Sequence, residues 1–244
     1  MANSLVRPYG DYFPYGISQR VPNMQYAADV SLSGSYCANF GAPLALSANA
    51  VLAAFQNVNG SAGQVTTFVA TTGSATAIGY NGLVPFDSTS IRNGWGRNLT
   101  CTASTTCTRT VTVTGYDYLG SKLVETMTLN GTATIQGLKA FQWVTQIDIS
   151  SDTDTATVSV GYGNKLGLPY KGVAMSVETK NGAVAANAGT FVAGLATATA
   201  ETATNADVRG TYLPATVIPD GTNIFELWYI PNRVDLHGQA RYAG

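Results

Sequence analysis

Residues 110–131 read TVTVTGYDYLGSKLVETMTLNG, and this stretch decides the fold class. Threonine alternates with valine over Thr110–Thr114, which is the period-two pattern of a strand with one apolar and one polar face. Val111 and Val113 take one side and the threonines the other. YDYLGS turns the chain, and Leu123, Met127 and Leu129 line one face of a return strand that Glu125 interrupts. A charge on an apolar face is a common device against unwanted pairing at a sheet edge. Asn130-Gly131 is a strong hairpin signal, because the central residues of a tight hairpin turn need positive φ.

Downstream the same grammar continues. In AFQWVTQIDI, Phe141, Trp143, Ile147 and Ile149 are expected to share a face opposite Gln142, Gln146 and Asp148. TATVSV repeats the alternation, so residues 109–161 read as four consecutive antiparallel strands. GVAMSVETKNGAVAA spells two strands about an Asn181-Gly182 turn. The segment 207–231 adds two more about Pro-Asp-Gly. There Phe225, Leu227 and Tyr229 alternate with Trp228 and Ile230, so both faces are apolar. Such a strand is central in its sheet or pairs with a neighbouring subunit.

Upstream the pattern is less regular. QVTTFVATT reads as a strand and residues 79–98 as a long loop punctuated by Gly and Pro. PLALSANAVLAAFQ (43–56) is the best helix candidate, with Ser47 as cap and Val51, Leu52 and Phe55 at helical spacing. Residues 1–40 are rich in Tyr, Pro and Gly without periodicity. They are expected to form either an irregular lid or an extended arm whose aromatics pack on a neighbour. The fold expected is all-β: an antiparallel β-sandwich or jelly-roll-like domain over 61–244, divisible near 165, preceded over 1–60 by an extended arm and one short helix.

The chain has 244 residues, long enough for a sizeable core, yet only 11% of them are charged and the formal net charge is −1. Without clustered Lys and Arg there is no footprint for nucleic acid. No apolar run approaches the roughly 18 residues of a membrane span, and the N-terminus has no signal-like apolar core. A surface this poor in charge favours association, which points towards a subunit of an assembly.

Candidates for chemistry are few. The single histidine, His237, lies seven residues from the end, a poor place to hold a base. Asp148, Asp152 and Asp154 are close in sequence and either hold a cation or bond the turn around them. Cys101 and Cys107 either pair or, as a cytosol-made protein suggests, stay free with Cys37. GYGNKLG (161–167) is followed by Pro169 rather than by a helix, so it is no dinucleotide loop. No catalytic residue, cofactor or metal is expected. Trp95 and the tyrosines leave a sugar-stacking surface as an alternative to ordinary packing.

The run RTVTVTGYDYLGSKLVETMTLNGTATIQGLKAFQWVTQIDI resembles a pattern of structural proteins of tailed bacteriophages, in which VTGxDxxGxxxxETxTLNG precedes KAFxxVTxI. The matching positions are Val113, Thr114, Gly115, Asp117, Gly120, Glu125, Thr126, Thr128, Leu129, Asn130 and Gly131, then Lys139, Ala140, Phe141, Val144, Thr145 and Ile147. VGYGNKLGLPYK and VRGTYLPATVIPDGTNIFELWYI are similar to segments of small virion proteins, and the resemblance covers about residues 109–231.

The resemblance implies a non-enzymatic virion protein made in the host cytoplasm. Its most natural place is the capsid exterior, as a decoration (cement) protein binding the major capsid protein and neighbouring copies of itself. Head–tail adaptor, tail component, and receptor- or carbohydrate-binding module stand as alternatives. A depolymerase would need two carboxylates facing a groove. The expected partner-binding residues are Tyr9, Tyr12, Phe13, Tyr15 and Tyr26 in the N-terminal segment, with Trp95.

Overall fold

The structure is a computed structural model and describes residues 35–56, 61–65, 95–151, 154–185, 189–195, 199–215 and 218–232. Among them every regular element is a strand, and all pairings are antiparallel. In chain order they are β1 (Tyr36–Gly41), β2 (Ser47–Phe55), β3 (Gly63–Val65), β4 (Arg97–Ala103), β5 (Thr110–Tyr116), β6 (Lys122–Thr128) and β7 (Ile135–Phe141). They continue with β8 (Trp143–Ile149), β9 (Val158–Gly167), β10 (Gly172–Lys180), β11 (Ala183–Val184), β12 (Thr190–Ala193), β13 (Gly210–Leu213) and β14 (Phe225–Pro231).

Three sheets result. Sheet I runs β12-β13-β9-β4-β7, with β2 also on β9; sheet II runs β11-β10-β14-β1; sheet III runs β3-β8-β5-β6. One apolar cluster joins sheets I and III, with Leu99 and Cys101 from β4, Val158 and Val160 from β9, Val111 and Val113 from β5, and Ile147 and Ile149 from β8. A second joins sheet II to the β9–β13 end of sheet I through Phe40, Leu166, Tyr212, Phe225, Leu227 and Tyr229.

The quoted hairpin is present, β5 pairing β6 from Thr110↔Thr128 to Tyr116↔Lys122. Its apolar face is buried as the alternation requires, with Val111 and Val113 both fully inside. The expected run of four consecutive strands is not. β8 pairs β5 in sheet III, whereas β7 and β9 pair β4 in sheet I. A tight turn does close, Ala133 N–H bonding the Asn130 carbonyl at 3.2 Å, but it is centred on Gly131-Thr132 and the strands on either side of it, β6 and β7, do not pair. Gly131 takes φ +65°, but Leu129 N–H bonds Arg109 and Gly131 N–H bonds Cys107, so the chain leaves β6 along the hairpin's flank.

Glu125 explains why β7 need not pair β6. Its carboxylate accepts the backbone N–H groups of Leu138 (3.0 Å) and Lys139 (2.9 Å), standing in for a ladder partner and closing the seam between the sheets. The Asn181-Gly182 hairpin is as expected, both residues having positive φ between β10 and β11.

Two further expectations are corrected. Residues 47–55 are strand, not helix. β2 pairs β9 at Ser47↔Tyr162, Leu52↔Val160 and Phe55↔Val158, with irregularities between these pairs. Extra residues in a bulged strand destroy period two, and a one-then-three spacing imitates a helical face. AFQWVTQIDI is likewise two strands, broken at Gln142. A bulge at Thr145 then separates Gly115↔Val144 from Thr114↔Gln146. Trp143 therefore lies on the solvent side, half-buried, while Phe141, Val144, Ile147 and Ile149 are inside.

Of the expected arm, residues 1–34 lie outside the described residues; β1 and β2 belong to sheets II and I.

Candidate interaction surface

Charge is scarce in this chain, and much of it is inside. Among the described residues Arg97, Arg109, Asp117, Glu125, Lys139, Lys171, Glu178, Asp207 and Arg209 are buried, nine charges in a chain that has only 13 basic and 14 acidic residues. Arg209 is the hub. Its Nε stands 3.4 Å from Asp117 Oδ2 and 3.8 Å from Asp207 Oδ1, and its guanidinium donates to the carbonyls of Leu168 and Ala140 and packs over the Tyr118 ring.

Both carboxylates are themselves held by the backbone. Asp117 Oδ1 accepts from Leu119 and Ser121, both at 2.8 Å, and Asp207 Oδ2 accepts from Ala140 at 2.8 Å. Lys139 Nζ donates to the carbonyls of Val124, Ala200 and Glu201. Burial pushes the Lys139 ammonium below and the Glu125 carboxyl above their ordinary ranges; for Glu125 the two backbone N–H bonds oppose the shift. These groups bond backbone groups or pair with one another by charge, tying sheets I and III together.

The outside is correspondingly apolar in one place. Along β14 the inner residues Phe225, Leu227 and Tyr229 are buried, while Ile224, Trp228 (40% exposed) and Ile230 (46%) face out. Register puts Val177 and Cys37 beside Trp228, and Ala174 beside Ile230. Val173 and Val184 add exposed methyls on β10 and β11. The one carboxylate in the centre of this face, Glu226, accepts from the Cys37 thiol at 3.6 Å. Burial, then the neighbouring Glu226 charge, pushes that thiol up to about 11, so it stays protonated and unreactive. The apolar patch is therefore the Trp228–Ile230 end of this face, with Ala174, Val173 and Val177, bordered by the polar row Thr179–Glu226–Asn39; an exposed apolar patch with a polar rim is the kind of surface that a partner covers.

The other sequence candidates are dispersed. Tyr9, Tyr12, Phe13, Tyr15, Tyr26 and His237 lie outside the described residues. Trp95 is half-buried at the margin of the second core, its ring edge-on to Phe40 (5.4 Å) and Tyr118 (6.5 Å). Asp154 pairs with buried Arg109 and accepts from Ala156 N–H (2.7 Å); Asp148 is on the outer face of β8; Asp152 lies outside the described residues. Among the described residues no three His, Cys, Asp or Glu side chains gather as metal ligands.

Cys37, Cys101 and Cys107 are free thiols, and burial followed by the Glu125 charge pushes Cys101 up to about 12. The sequence placed Trp228 and Ile230 on the face opposite Phe225, Leu227 and Tyr229 without choosing between a central strand and a subunit contact, and the structure makes the strand central in sheet II. The sequence missed Val173 and Val177, because bulges beside Ala174 and between Met175 and Val177 reset which residues face out. No family model, curated protein or solved structure matches the chain.

Proposed function

We propose that this protein is a structural component of a tailed-bacteriophage virion, a decoration protein that binds the outside of the major capsid lattice and stabilises it. We read its facing sheets as a β-sandwich of jelly-roll type, with the aromatic N-terminal segment reaching towards neighbouring subunits. The observation that carries this reading is the division of labour between inside and outside. Charges are spent on internal cross-links, and the exposed face of sheet II is left apolar around Trp228 and Ile230. That arrangement suits a rigid subunit whose work is contact rather than chemistry. The resemblance of residues 109–231 to phage virion proteins supplies the identity of the lattice.

The test is binding of the purified chain to capsids of the encoding phage assembled without it. Wild-type protein should co-sediment saturably. Trp228→Asp, which places a charge at the centre of the strip, should weaken binding by more than about tenfold. Because Trp228 is outside the core, its melting temperature should hardly move. Capsids that fail to retain the wild-type chain, or retain the variant equally, would refute the reading.

A further inference from the structure

The outer face of sheet III is unlike that of sheet II. Along β5 and β8 it presents Tyr116 directly across from Trp143, then Thr114 across from Gln146, then Thr112 across from Asp148. β3 adds Gln64 beside Asp148. Both oxygens of the Asp148 carboxylate are taken by carboxamides: Gln64 Nε2 donates to one and Gln146 Nε2 to the other, each at 2.6 Å. Thr112 and Thr126 hydroxyls bond one another at 2.9 Å. Lys122, beside Tyr116, is paired with Glu201 at 3.0 Å. An open groove of about 340 Å³ follows this edge, lined by Gln64, Thr110, Thr112, Asp148 and Ser150 among others.

This combination selects a chemical class. Hydroxyls and carboxamides offer paired donors and acceptors, and the one carboxylate among them is already bonded by two amides, which suits ligands made of neutral hydroxyl groups. The Asp148 carboxylate, fixed by two amides, is an oriented acceptor. Two partly buried aromatic side chains on the outer face at the far end, Tyr116 and Trp143, supply apolar platforms for the C–H faces of sugar rings. Tyr116 and Thr112 are four residues apart on one strand, so ring platform and polar groove are separated by about 14 Å, the reach of an oligosaccharide rather than of one sugar. An anion would meet Asp148, and an apolar peptide would leave the buried ends of these polar groups unmatched.

We propose that the outer face of sheet III is a binding site for a neutral polysaccharide chain. Trp143 and Tyr116 stack on it, and Gln146, Asp148, Thr112 and Gln64 hydrogen-bond its hydroxyls. The proposal stands independently of capsid binding, which uses the opposite character of sheet II.

The test is affinity electrophoresis of the full chain through gels containing dextran, hydroxyethyl cellulose, laminarin or galactomannan, with heparin as a charged control. At least one neutral polysaccharide should retard the wild-type protein. Gln146→Ala should weaken that retardation by roughly threefold to tenfold, the loss of one or two hydrogen bonds, and Trp143→Ala by more. Gln146→Ala removes no core contact, so its unchanged melting curve keeps the comparison valid even if Trp143→Ala folds poorly. No retardation by any of the four, retardation by heparin alone, or retardation that Gln146→Ala leaves intact would each overturn the proposal.

Discussion

At the residue scale, the account rests on buried charges acting as cross-links. Arg209 is enclosed by two carboxylates and several carbonyls, so removing it leaves Asp117 and Asp207 buried without a counter-charge. Arg209→Met should cost about 3–5 kcal/mol in urea unfolding, near the whole stability of a modest domain. Glu125 behaves differently, because burial raises its carboxyl above the ordinary glutamate range while the Leu138 and Lys139 N–H groups and the Lys139 charge oppose that shift. Glu125→Gln keeps an oxygen for the Leu138 and Lys139 N–H groups and should change stability by less than about 1 kcal/mol at neutral pH. Glu125→Leu strands both donors and should cost about 2–5 kcal/mol. The pH dependence has a definite sign. A folded pKa above the unfolded one means that the folded state holds more protons between the two values, so stability falls as pH rises through that window. Compared with Glu125→Gln, the wild type should therefore gain stability as pH drops from Glu125's raised value towards the ordinary glutamate range. Thermal melts of both proteins across that range read this directly.

At the element scale, bulges set the geometry and also mark where sequence reading stopped. The β5–β6 hairpin was legible because period two runs unbroken from Thr110 to Tyr116, and the Asn181-Gly182 turn because both residues adopt positive φ. The strand β2 was not legible, since its irregular register against β9 scatters the apolar residues at helix-like intervals. The extra residue at Thr145 similarly moved Trp143 to the solvent side. Phe141→Ala should then cost about 3–5 kcal/mol, while Trp143→Ala, at a partly buried position outside the core, costs clearly less. An equal loss for the two would contradict the bulge. Gly115 is where the bulge is pinned, because a Cβ there would lie 2.0 Å from the Trp143 carbonyl oxygen. In β2, Ala54 is held at φ +45°, a conformation that suits glycine, so Ala54→Gly should stabilise the protein by about 0.5–1 kcal/mol. The residues of the run 113–147 also acquire a physical meaning at this scale. Gly115, Asp117, Gly120, Glu125 and Lys139 are, respectively, a close approach, a turn acceptor and ion-pair partner, a positive-φ turn, a seam acceptor and a buried donor. These five residues hold the scaffold.

At the scale of the whole molecule, the all-β class was readable from alternation and turns, but the assignment of strands to three sheets was not. Which sheet a strand joins depends on long-range acceptors such as Glu125 and Asp207, which no local window contains. The outer face of sheet II was half readable. Trp228 and Ile230 stood out by alternation, while their neighbours on β10 needed the register. Two outer faces of opposite character emerge, one apolar on sheet II and one hydroxyl- and amide-rich on sheet III. A subunit that grips a lattice with the first leaves the second free to face outward.

The central claim is that the apolar face of sheet II is seated on a capsid. Cryo-electron microscopy of the intact virion at side-chain resolution tests it most directly. The account predicts density for this chain on the outer shell, with Trp228, Ile230 and Val177 against the major capsid protein. Density confined to the tail, or a capsid-bound chain whose Trp228 face is open to solvent, would contradict it.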